Sequence, residues 1–588
     1  MALSDSDFDE PRGASTANAE VARMFAEIGD ILEIKGEPPY RFNAYRTGAR
    51  SVGNAGERLD VLFEQGRLRE LQGVGAALES KIVEYLKTGR MAAHEEVRRD
   101  FPIALASLLH VPGLGPTRAR AVYQELGIST LPDLEEAARS GRLREVPGFG
   151  PKAVETLLQS LDQLKERSSR GLVSDAWAAF AQIREVLGED HLAVVGSTRR
   201  MQDSVGGLDL IAGRDDPDAA EHVLQTVANL PNLVQVLDRS ADEVAVQLYG
   251  GLNVHLSVVP SESWGAALAW YTGSHAHVTR LSALAHARGW DLSPFGLEES
   301  ATGKLLERQH EAAIYERLGL AWIPPELRED EGEIEAAQSG SLPRLVDLGD
   351  IKGDLHTHTN WTDGTESLED MARTAKARGY QYMALTDHTQ NLAMTRGLTP
   401  ERLDEQRALV KRVNHKLAPF VVLHGTEMDI LMDGQLDFSD ELLRTLDYVS
   451  ASVHTGFRQP REVMTERMLR AISNPLVNTL NHPHGRKIGR REGYAVDMQA
   501  VVERAAKIGC ALELNSTPDR LDLNGSWARR ALALGAKFTI SSDAHSLKEL
   551  DYLQFGVASA RRGWLTAADV LNTLPLDELR KLLNARRP

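Results

Sequence analysis

From residue 350 onward, apolar runs that end near histidine or acidic residues alternate with helical segments. This alternation is typical of β/α units around a parallel sheet or barrel. In such barrels the reactive groups lie at the carboxyl ends of the strands. The sequence therefore predicts a β/α fold with its chemistry at one end. The apolar runs are IKGDLHTH, YMALTDH, FVVLHGTEMDI, YVSASVH, VNTLNHP, CALELNS and KFTISSDAH.

Nine imidazole and carboxylate side chains occur at the ends of these runs. Two pairs are spaced two residues apart, so on a strand both members point to one face and can reach one metal ion. A lone histidine beside a strand is more often a core residue, and Asp363 precedes a glycine as in an ordinary turn, but the whole set favours a metal centre. The predicted ligands are His356, His358, Asp363, His388, Glu427, His454, His482, Asp543 and His545.

The ligand types restrict the metal. Nitrogen and oxygen ligands without thiolate suit zinc, manganese or iron. The chain has one cysteine, Cys510, which excludes an internal disulfide and argues against a thiolate site.

A short glycine pattern occurs three times in the first 170 residues, in LQGVGAALESKI, HVPGLGPTRARAVY and EVPGFGPKAVETLL. Each copy has Gly-x-Gly before a helix, where free N–H groups form an anion site. These copies resemble helix-hairpin-helix motifs, which hold the DNA backbone without reading sequence. The alternative is a set of tight turns between packed helices. The predicted DNA-binding residues are Gly73, Gly75, Gly113, Gly115, Gly148 and Gly150.

Length and charge bound the remaining possibilities. At about 100–200 residues per domain, 588 residues predict three or four domains. The net charge of -17 argues mildly against nucleic-acid binding, although it is an average over the chain. No apolar run approaches the ~20 residues of a membrane helix. The acidic N-terminus lacks the features of a signal peptide, so we expect a short disordered leader and a cytoplasmic, nucleoid-associated protein.

The middle of the chain, residues 171–320, alternates strand-like and helical segments. Its stretch VVGSTRRMQDSVGGLDLIAG resembles the opening of a nucleotidyltransferase site. Residues 321–349 are predicted to form a connector because prolines are followed by an acidic run and Gly-Ser. We interpret the acidic run as a solvated surface helix.

The C-terminal part resembles the polymerase and histidinol phosphatase (PHP) superfamily, a distorted β/α barrel that holds up to three metals and hydrolyses phosphoesters. The H-x-H, T-D-H, lone Glu, S-V-H, N-H-P and S-D-A-H elements match in order. The resemblance implies that His356, His358, Glu427 and Asp543 share one metal. It also implies that Glu427 bridges to a second metal held by His454 and His482, and that Asp363, His388 and His545 hold a third. Arg486, Arg490 or Arg491 could clamp phosphate, with Arg490 as the candidate catalytic residue, or all three could form a solvated loop.

The order of parts resembles that of bacterial family X DNA polymerases over nearly the whole chain. GSTRR and AWYTGSHAH match the family's nucleotide-binding segments, which implies nucleotide contacts from Gly196, Ser197, Arg200, Tyr271, Gly273 and Ser274. The predicted fold is multidomain: an α-helical helix-hairpin-helix part, an α+β nucleotidyltransferase palm and a distorted β/α barrel. The predicted boundaries are a leader at 1–17, helical DNA-binding regions at 18–100 and 101–170, palm and thumb at 171–320, a linker at 321–349 and the PHP domain at 350–588.

The polymerase-like site departs from the family pattern. Polymerisation needs two Mg²⁺ or Mn²⁺ ions held by three carboxylates, but Gly207 and His255 occupy two of these places and only Asp209 remains. We therefore predict that nucleotide addition is impaired and that restoring both carboxylates raises primer extension. His275 replaces the lysine usual after Tyr-Thr-Gly-Ser. Lys81 matches the Schiff-base lysine of eukaryotic relatives, or it contacts phosphate.

Four functions are compatible with these features. The first is a DNA-repair 3'-5' exonuclease or phosphodiesterase with up to three Mn, Zn or Fe ions, acting as a monomer on gapped, nicked or 3'-blocked DNA. The second is a gap-filling polymerase that uses dNTPs and Mg or Mn, with an accessory nuclease. The third is a small-molecule phosphatase of the histidinol phosphatase type, which has no use for the glycine repeats. The fourth is a non-catalytic DNA-binding scaffold, against which the full ligand set argues.

Overall fold

The computed structural model describes residues 14–587, apart from residues 54, 56–58, 72, 103, 112–113, 169, 189, 231–232, 249–250 and 393–394. The chain divides into two compact units, Met1–Ser169 and Arg170–Pro588. Among the described helices, none combines the length and the apolar content needed to cross a bilayer.

The first unit is built from amphipathic helices around one core that includes Phe25, Ile31 and Val122. Helix α1 starts at Ala14, so the leader predicted for residues 1–17 is shorter than expected; alanine favours helix, and two alanines stand among residues 14–17. Residues 1–13 lie outside the described range. The helices are α1 (Ala14–Lys35), α2 (Pro39–Gly53), α3 (Leu59–Glu64), α4 (Ala76–Thr88), α5 (Ala92–Asp100), α6 (Ala104–Ser107), α7 (Pro116–Leu126), α8 (Leu131–Arg139) and α9 (Pro151–Ser168).

The second unit begins with a five-stranded sheet of order β2-β4-β7-β6-β5, in which only the central β4–β7 pair is parallel. A small antiparallel sheet, β10-β9-β8, follows. The strands are β1 (Gly171–Leu172), β2 (Leu192–Val195), β3 (Ser204–Val205), β4 (Leu208–Gly213), β5 (Leu233–Arg239), β6 (Glu243–Leu248), β7 (Asn253–Val259), β8 (Trp290–Ser293), β9 (Gly296–Glu299) and β10 (Leu305–Glu307). The helices are α10 (Val173–Leu187), α11 (Gly196–Arg199), α12 (Pro217–Val227), α13 (Trp264–Thr272), α14 (His275–His286), α15 (Glu311–Arg317) and α16 (Glu333–Ser339).

The predicted connector, residues 321–349, is not a solvated segment. Arg328 and Glu333 are fully buried, and Ile323 and Leu327 belong to the same core as α13 to α15. The charges are tolerated because they are paired: Arg328 Nη1 bonds Glu311 Oε1 at 2.7 Å, and Glu333 Oε1 lies 2.6 Å from His277 Nδ1. The prediction of a solvated surface helix is therefore wrong for Glu333, whereas Glu331 and Glu335 of the acidic run are exposed.

The rest of the second unit is a parallel seven-stranded sheet of order β11 to β17, in which each strand pairs with its neighbour in sequence. A parallel bridge between Thr357 and Ala544 connects the first strand to the segment after the last and nearly closes a barrel. The strands are β11 (Gly353–Thr357), β12 (Tyr382–Leu385), β13 (Val421–Asp429), β14 (Tyr448–Ser452), β15 (Thr479–Leu480), β16 (Ala511–Asn515) and β17 (Phe538–Ser541). The helices are α17 (Leu368–Ala377), α18 (Pro400–Leu417), α19 (Asp440–Leu443), α20 (Arg461–Ser473), α21 (Met498–Ile508), α22 (Gly525–Ala533), α23 (Leu553–Arg562) and α24 (Leu576–Asn584). The predicted fold class is confirmed.

The five-stranded sheet and the barrel share a core, since Leu521 and Phe555 of the barrel pack with apolar residues of the sheet. At the same interface Asp203 accepts hydrogen bonds from Arg486 Nη2, at 2.6 Å, and from Arg562 Nη2. Burial raises the pKa of Asp203, but the two guanidinium groups outweigh it and hold the pKa below its usual value. We call Asp203, Arg486 and Arg562 the Asp203 clasp.

Candidate metal centre and nucleotide site

The structure brings all nine predicted metal ligands together at the carboxyl ends of the barrel strands. His356 and Glu427 lie on β11 and β13, and the others follow β11, β12, β14, β15 and β17 in the loops. His358 and Glu427 are buried, whereas Asp363 and His545 keep about a third of their side-chain surface exposed (30% and 32%). The cluster is therefore a buried pocket of ligands with one accessible side.

The first group of four has the spacing of atoms that share an ion. His356 Nε2 lies 3.4 Å from both Glu427 Oε2 and Asp543 Oδ1. His358 Nε2 lies 3.6 Å and 3.3 Å from the same two oxygens. Ligands of a tetrahedral zinc ion are about 3.4 Å apart, given metal–ligand distances of about 2.1 Å. The ligand atoms of His356, His358 and Asp543 thus lie close enough together to share one divalent ion, and Glu427 Oε2 adjoins both imidazoles.

Two further groups have similar spacing. The second oxygen of Glu427, Oε1, lies 3.3 Å from His454 Nε2 and 2.9 Å from His482 Nε2. Glu427 thus faces two groups with its two oxygens, as a bridging carboxylate does. In the third group, Asp363 Oδ2 lies 3.3 Å from His388 Nε2 and 3.5 Å from His545 Nε2.

The groups adjoin one another, and the unpartnered ring nitrogens test whether metals fit them. His388 Nδ1 also lies 3.0 Å from Glu427 Oε2, the oxygen that faces the first group, so His388 adjoins the first group as well as the third. Buried nitrogens that make no hydrogen bond include His356 Nε2 and His358 Nε2, the two atoms that face the first group. Buried polar atoms are normally hydrogen-bonded. An imidazole nitrogen that lacks a hydrogen-bond partner is available to ligate a metal ion. The residues therefore fit divalent ions.

The electrostatics differ among the ligands. Against burial, neighbouring carboxylates raise the pKa of His356 and His454, that of His388 to about 10 and that of His545 to about 9, so these imidazoles must lose a proton when a metal binds. The other ligands are held in the forms that metals bind. Burial, with neighbouring histidines, lowers the pKa of His358 to about 3. Burial, with Arg520, lowers the pKa of His482 to about 3. Burial alone would raise the pKa of Glu427 and Asp543, but the surrounding histidines hold both pKa values well below their usual range. Neutral imidazoles and ionised carboxylates are the metal-binding forms.

Two carboxylates that the sequence analysis did not select hold the ligands from behind. Glu513 Oε1 lies 2.7 Å from His356 Nδ1, and Asp429 Oδ1 lies 2.7 Å from His454 Nδ1. Such partners fix the ring so that the other nitrogen, Nε2, faces the metal. Asp429 stands two residues after Glu427 on β13, and Glu513 stands on β16, the strand without a predicted ligand. Alternation along these two strands was the signal that could have found them.

The loop that carries Asp363 is fixed by a buried hub. Asp387 accepts hydrogen bonds from Thr359 Oγ1 at 2.6 Å, from Thr362 Oγ1 at 2.7 Å and from Gln406 Nε2 at 2.7 Å.

His482 and Asp543 have positive φ angles of 29° and 56°, which residues other than glycine rarely adopt. Such backbone is kept where the surroundings determine it, often at functional sites.

The three arginines predicted as phosphate clamps differ in their contacts. Arg486 belongs to the Asp203 clasp. Arg491 lies over the Phe457 ring at 4.2 Å and donates to the Gly485 carbonyl oxygen. Arg490 is exposed, and its backbone N–H donates to the Lys487 carbonyl. Among the described residues, none of the three forms an ion pair with a predicted ligand, so the clamp role of Arg490 stays a prediction.

The polymerase-like site retains a single carboxylate on the strands where three were expected. Asp209 on β4 stands opposite His255 on β7. Burial raises the pKa of Asp209, while His255 and Arg200 lower it. A Cβ atom added at Gly207 would lie 2.7 Å from the Asn253 carbonyl oxygen. The strands are thus closely packed where the second carboxylate would stand.

The predicted nucleotide-binding turn is tied to the elements that follow it. Gly196, with φ of 63°, and Ser197 begin α11, and Arg200 follows. Arg200 Nε bonds Glu329 Oε1 at 2.6 Å, and Nη1 bonds the Thr272 carbonyl at 2.8 Å. Its neighbour Arg199 makes a bidentate pair with Glu311, at 2.7 and 3.0 Å. The guanidinium predicted to meet a nucleotide is therefore engaged internally.

The second predicted nucleotide segment lies at the junction of α13 and α14. Tyr271 is half-buried, and burial raises its pKa. Gly273 ends α13, and the Ser274 hydroxyl accepts the His277 N–H at 3.2 Å as the N-cap of α14. Nucleotide contacts by these residues stay predictions.

In the first unit, each glycine pattern precedes a helix as predicted. Gly75 and Gly115 are the N-cap residues of α4 and α7, and Gly150 precedes α9. A Cβ atom at any of these three would meet nothing within 4 Å, so the space beside each glycine is open. Gly73 and Gly148 have positive φ, and Gly113 lies outside the described residues.

Lys81 on α4 is partly exposed. Its ammonium group donates to the Ala77 carbonyl oxygen at 3.2 Å and lies 5.9 Å from the centre of the Tyr45 ring. Neither contact distinguishes a Schiff-base lysine from a phosphate contact, and both roles stay predictions.

Family models match four segments of the chain. They are a helix-hairpin-helix domain at residues 16–91, a SAM-like helix-hairpin-helix tandem at 105–163, a DNA polymerase beta thumb at 267–329 and a PHP domain at 354–517. These matches confirm the predicted helix-hairpin-helix and PHP parts. The thumb match covers part of the segment that we predicted to be a connector.

Curated relatives agree with this division. The "DNA polymerase/3'-5' exonuclease PolX" of Bacillus subtilis (strain 168) is 35% identical over 570 residues, which cover 96% of this chain and 99% of the relative. A protein named "Probable phosphatase" from Thermoanaerobacter sp. (strain X514) is 28% identical over 231 residues, 37% of this chain and 89% of its own. One of the same description from Shewanella oneidensis is 30% identical over 207 residues, 33% of this chain and 75% of its own.

Proposed function

Since the chain belongs to the family X DNA polymerases that carry a PHP domain, we propose that its main activity is a metal-dependent 3'-5' exonuclease or phosphodiesterase in the barrel. The substrates are gapped, nicked or 3'-blocked DNA, which the first unit binds without reading sequence. The protein works as a monomer on the chromosome. The single observation that carries the proposal is the bridging position of Glu427, whose two oxygens face two separate groups of imidazoles.

The residues divide into three sets in this proposal. His356, His358, Glu427 and Asp543 hold one ion, Glu427, His454 and His482 hold a second, and Asp363, His388 and His545 hold a third. Bound divalent ions, as Mn, Zn or Fe, make a hydrolytic water available at neutral pH and neutralise charge on the phosphate. The chain's own contribution is to fix the ligands through Glu513 and Asp429 and to bury the cluster on all sides but one.

Nucleotide addition is impaired in this proposal. Asp209 alone cannot hold two hard cations, and His255 beside it adds no negative charge. Internal engagement of Arg200 supports the same conclusion. The competing function is gap filling with dNTPs. The Bacillus relative, whose name includes DNA polymerase, favours this function.

One gel separates the two functions. A 5'-labelled primer is annealed across a short gap and incubated with Mn²⁺, with and without dNTPs. We expect the primer to shorten in both reactions and the His356→Ala variant to leave it intact. Lengthening of the primer with dNTPs would instead make polymerisation the favoured function. Shortening that survives His356→Ala would place the nuclease outside the barrel centre.

A further inference from the structure

A guanidinium group lies beside the metal centre without a role in the proposal above. Arg520 follows β16, and its Nη2 is 4.0 Å from Asp543 Oδ2, which is beyond hydrogen-bond distance. Its Nε is buried and makes no hydrogen bond. Burial lowers the pKa of Arg520, but the carboxylates of Asp543, Glu427 and others outweigh burial and raise it. Arg520 is therefore a fixed positive charge whose donors are not used up.

The other cations near the centre are occupied or distant. Lys487 Nζ pairs with Asp519 at 2.7 Å, and Arg486 belongs to the Asp203 clasp. Among the described residues, Arg520 is the one lysine or arginine that comes within 4.0 Å of a carboxylate of the nine predicted ligands. For an anion at the metal centre, this guanidinium is the nearest basic group among those compared.

The backbone around Arg520 is held in place from outside the barrel. The Arg520 carbonyl oxygen accepts a hydrogen bond from Arg486 Nε at 2.8 Å. Arg486 in turn pairs at 2.6 Å with Asp203, which lies in the loop between α11 and β3. The clasp thus positions the segment that carries Arg520, and a group positioned in advance loses little freedom when it binds its ligand.

We propose that Arg520 binds a non-bridging oxygen of the scissile phosphodiester at the metal centre. The guanidinium presents two parallel N–H donors, which match two oxygens of a phosphate group. Its side chain is 16% exposed, so a phosphate can reach it. This inference rests on the proposed nuclease function and names the residue that recognises the substrate's phosphate.

The test compares Arg520→Gln, Arg520→Lys and the control Arg580→Gln in the full chain. Arg580 is an exposed arginine on α24. On the gapped primer with Mn²⁺, we expect Arg520→Gln to lower kcat/KM about 10–100-fold, the loss typical of a hydrogen bond to a charged group. Arg520→Lys recovers part of the loss because it keeps the charge without the fork. Arg580→Gln retains the wild-type value.

A second measurement does not depend on turnover. Isothermal titration of the Mn²⁺-loaded proteins with inorganic phosphate is expected to show weaker binding for Arg520→Gln by a similar factor, at unchanged manganese content. Wild-type phosphate affinity in Arg520→Gln would overturn the proposal, and so would a loss of manganese, because Arg520 would then serve the cluster itself. Failure of the nuclease proposal is distinct: it would leave the wild-type primer intact, whereas phosphate binding would still report on Arg520.

Discussion

At the residue scale, the metal centre depends on partners that the strand-end pattern does not contain. The nine predicted ligands could be read from the sequence because each follows an apolar run. Glu513 could have been found only from the alternation along β16, and Arg520 could not be found, since its importance depends on which side chain stands opposite it across the barrel. His356 is 157 residues from Glu513, yet their atoms lie 2.7 Å apart.

Glu513→Gln tests this dependence. The change keeps the shape but removes the charge behind His356, so we expect the affinity for Mn²⁺ to fall about 10–100-fold. Equilibrium dialysis against Mn²⁺ measures the effect. Glu503→Gln, on the exposed face of α21, serves as the control. Equal Mn²⁺ affinity in the two variants would show that Glu513 does not support the centre.

Gly207→Ala tests the closeness of the polymerase-like strands. An alanine Cβ would press on the Asn253 carbonyl, and overpacking of this kind costs about 1–3 kcal/mol. We expect a lower unfolding temperature than for Gly349→Ala, where the added atom meets nothing within 4 Å. Gly207→Asp carries the same cost, because it adds the same Cβ atom. An unchanged unfolding temperature would mean that the strands can separate at no expense.

At the scale of elements, the sequence predicted the seven strands of the barrel, but it did not predict the burial of the connector. A buried parallel strand is a run of apolar residues, which any reader of the sequence can find. Burial of Arg328 and Glu333 depends on Glu311 and His277, which lie on other helices. A charged residue therefore indicates a solvent-exposed position only where no distant residue of opposite charge pairs with it in the fold.

Glu311→Gln tests the buried pairs of this region. The variant leaves Arg328 without its carboxylate, and breaking a buried pair costs about 3–5 kcal/mol. The pKa of Glu311 is lowered from 4.5 to about 2, since Arg328 and Arg199 outweigh burial. Its contribution is thus complete above pH 4.5 and is lost as the pH falls toward 2. Urea unfolding should show a constant difference from wild type near neutral pH, and a smaller one in acid.

Glu316→Gln, on the exposed side of the same helix α15, is the control and should match wild type at neutral pH. A difference between Glu311→Gln and wild type that grows below pH 4.5 would contradict this assignment.

Gly115→Asp tests the helix-opening glycines. Aspartate is a good N-cap residue, and the backbone at Gly115 is extended, so the helix should be as stable as before. The added charge would repel DNA phosphates. We expect weaker binding of gapped DNA by fluorescence anisotropy at an unchanged unfolding temperature. Thr130→Asp, at the N-cap of α8, is the matched control. Equal losses of DNA affinity in the two variants would mean that the effect comes from the change in net charge and not from the position of Gly115.

At the scale of the whole molecule, the order of the parts was predictable because each carries its own pattern, whereas the way they join was not. Nothing in the sequence near Asp203 indicates that two arginines more than 280 residues away will meet it. The five-stranded sheet and the barrel consequently lie in one compact unit, and the glycine helices lie in another.

Residues 170–588 produced alone test this division. We expect the piece to keep metal-dependent hydrolysis of bis-p-nitrophenyl phosphate, because all nine predicted ligands lie within it. Its affinity for gapped DNA should fall at least about tenfold at fixed salt, since the phosphate contacts of the first unit are gone. Anisotropy measures the Kd, and full affinity in the piece would remove DNA binding from the first unit.

The Asp203 clasp bears on the evolutionary history of the chain. A descendant that lost the five-stranded sheet would uncover Leu521 and Phe555 and would leave two arginines without a counter-charge. Selection for the nuclease alone would therefore preserve the sheet, even in lineages that never add a nucleotide. Gly207 and His255 lie outside the clasp, so substitutions at these two positions leave the contacts between the sheet region and the barrel intact. The sheet region would therefore be retained for the stability of the barrel whether or not it adds nucleotides.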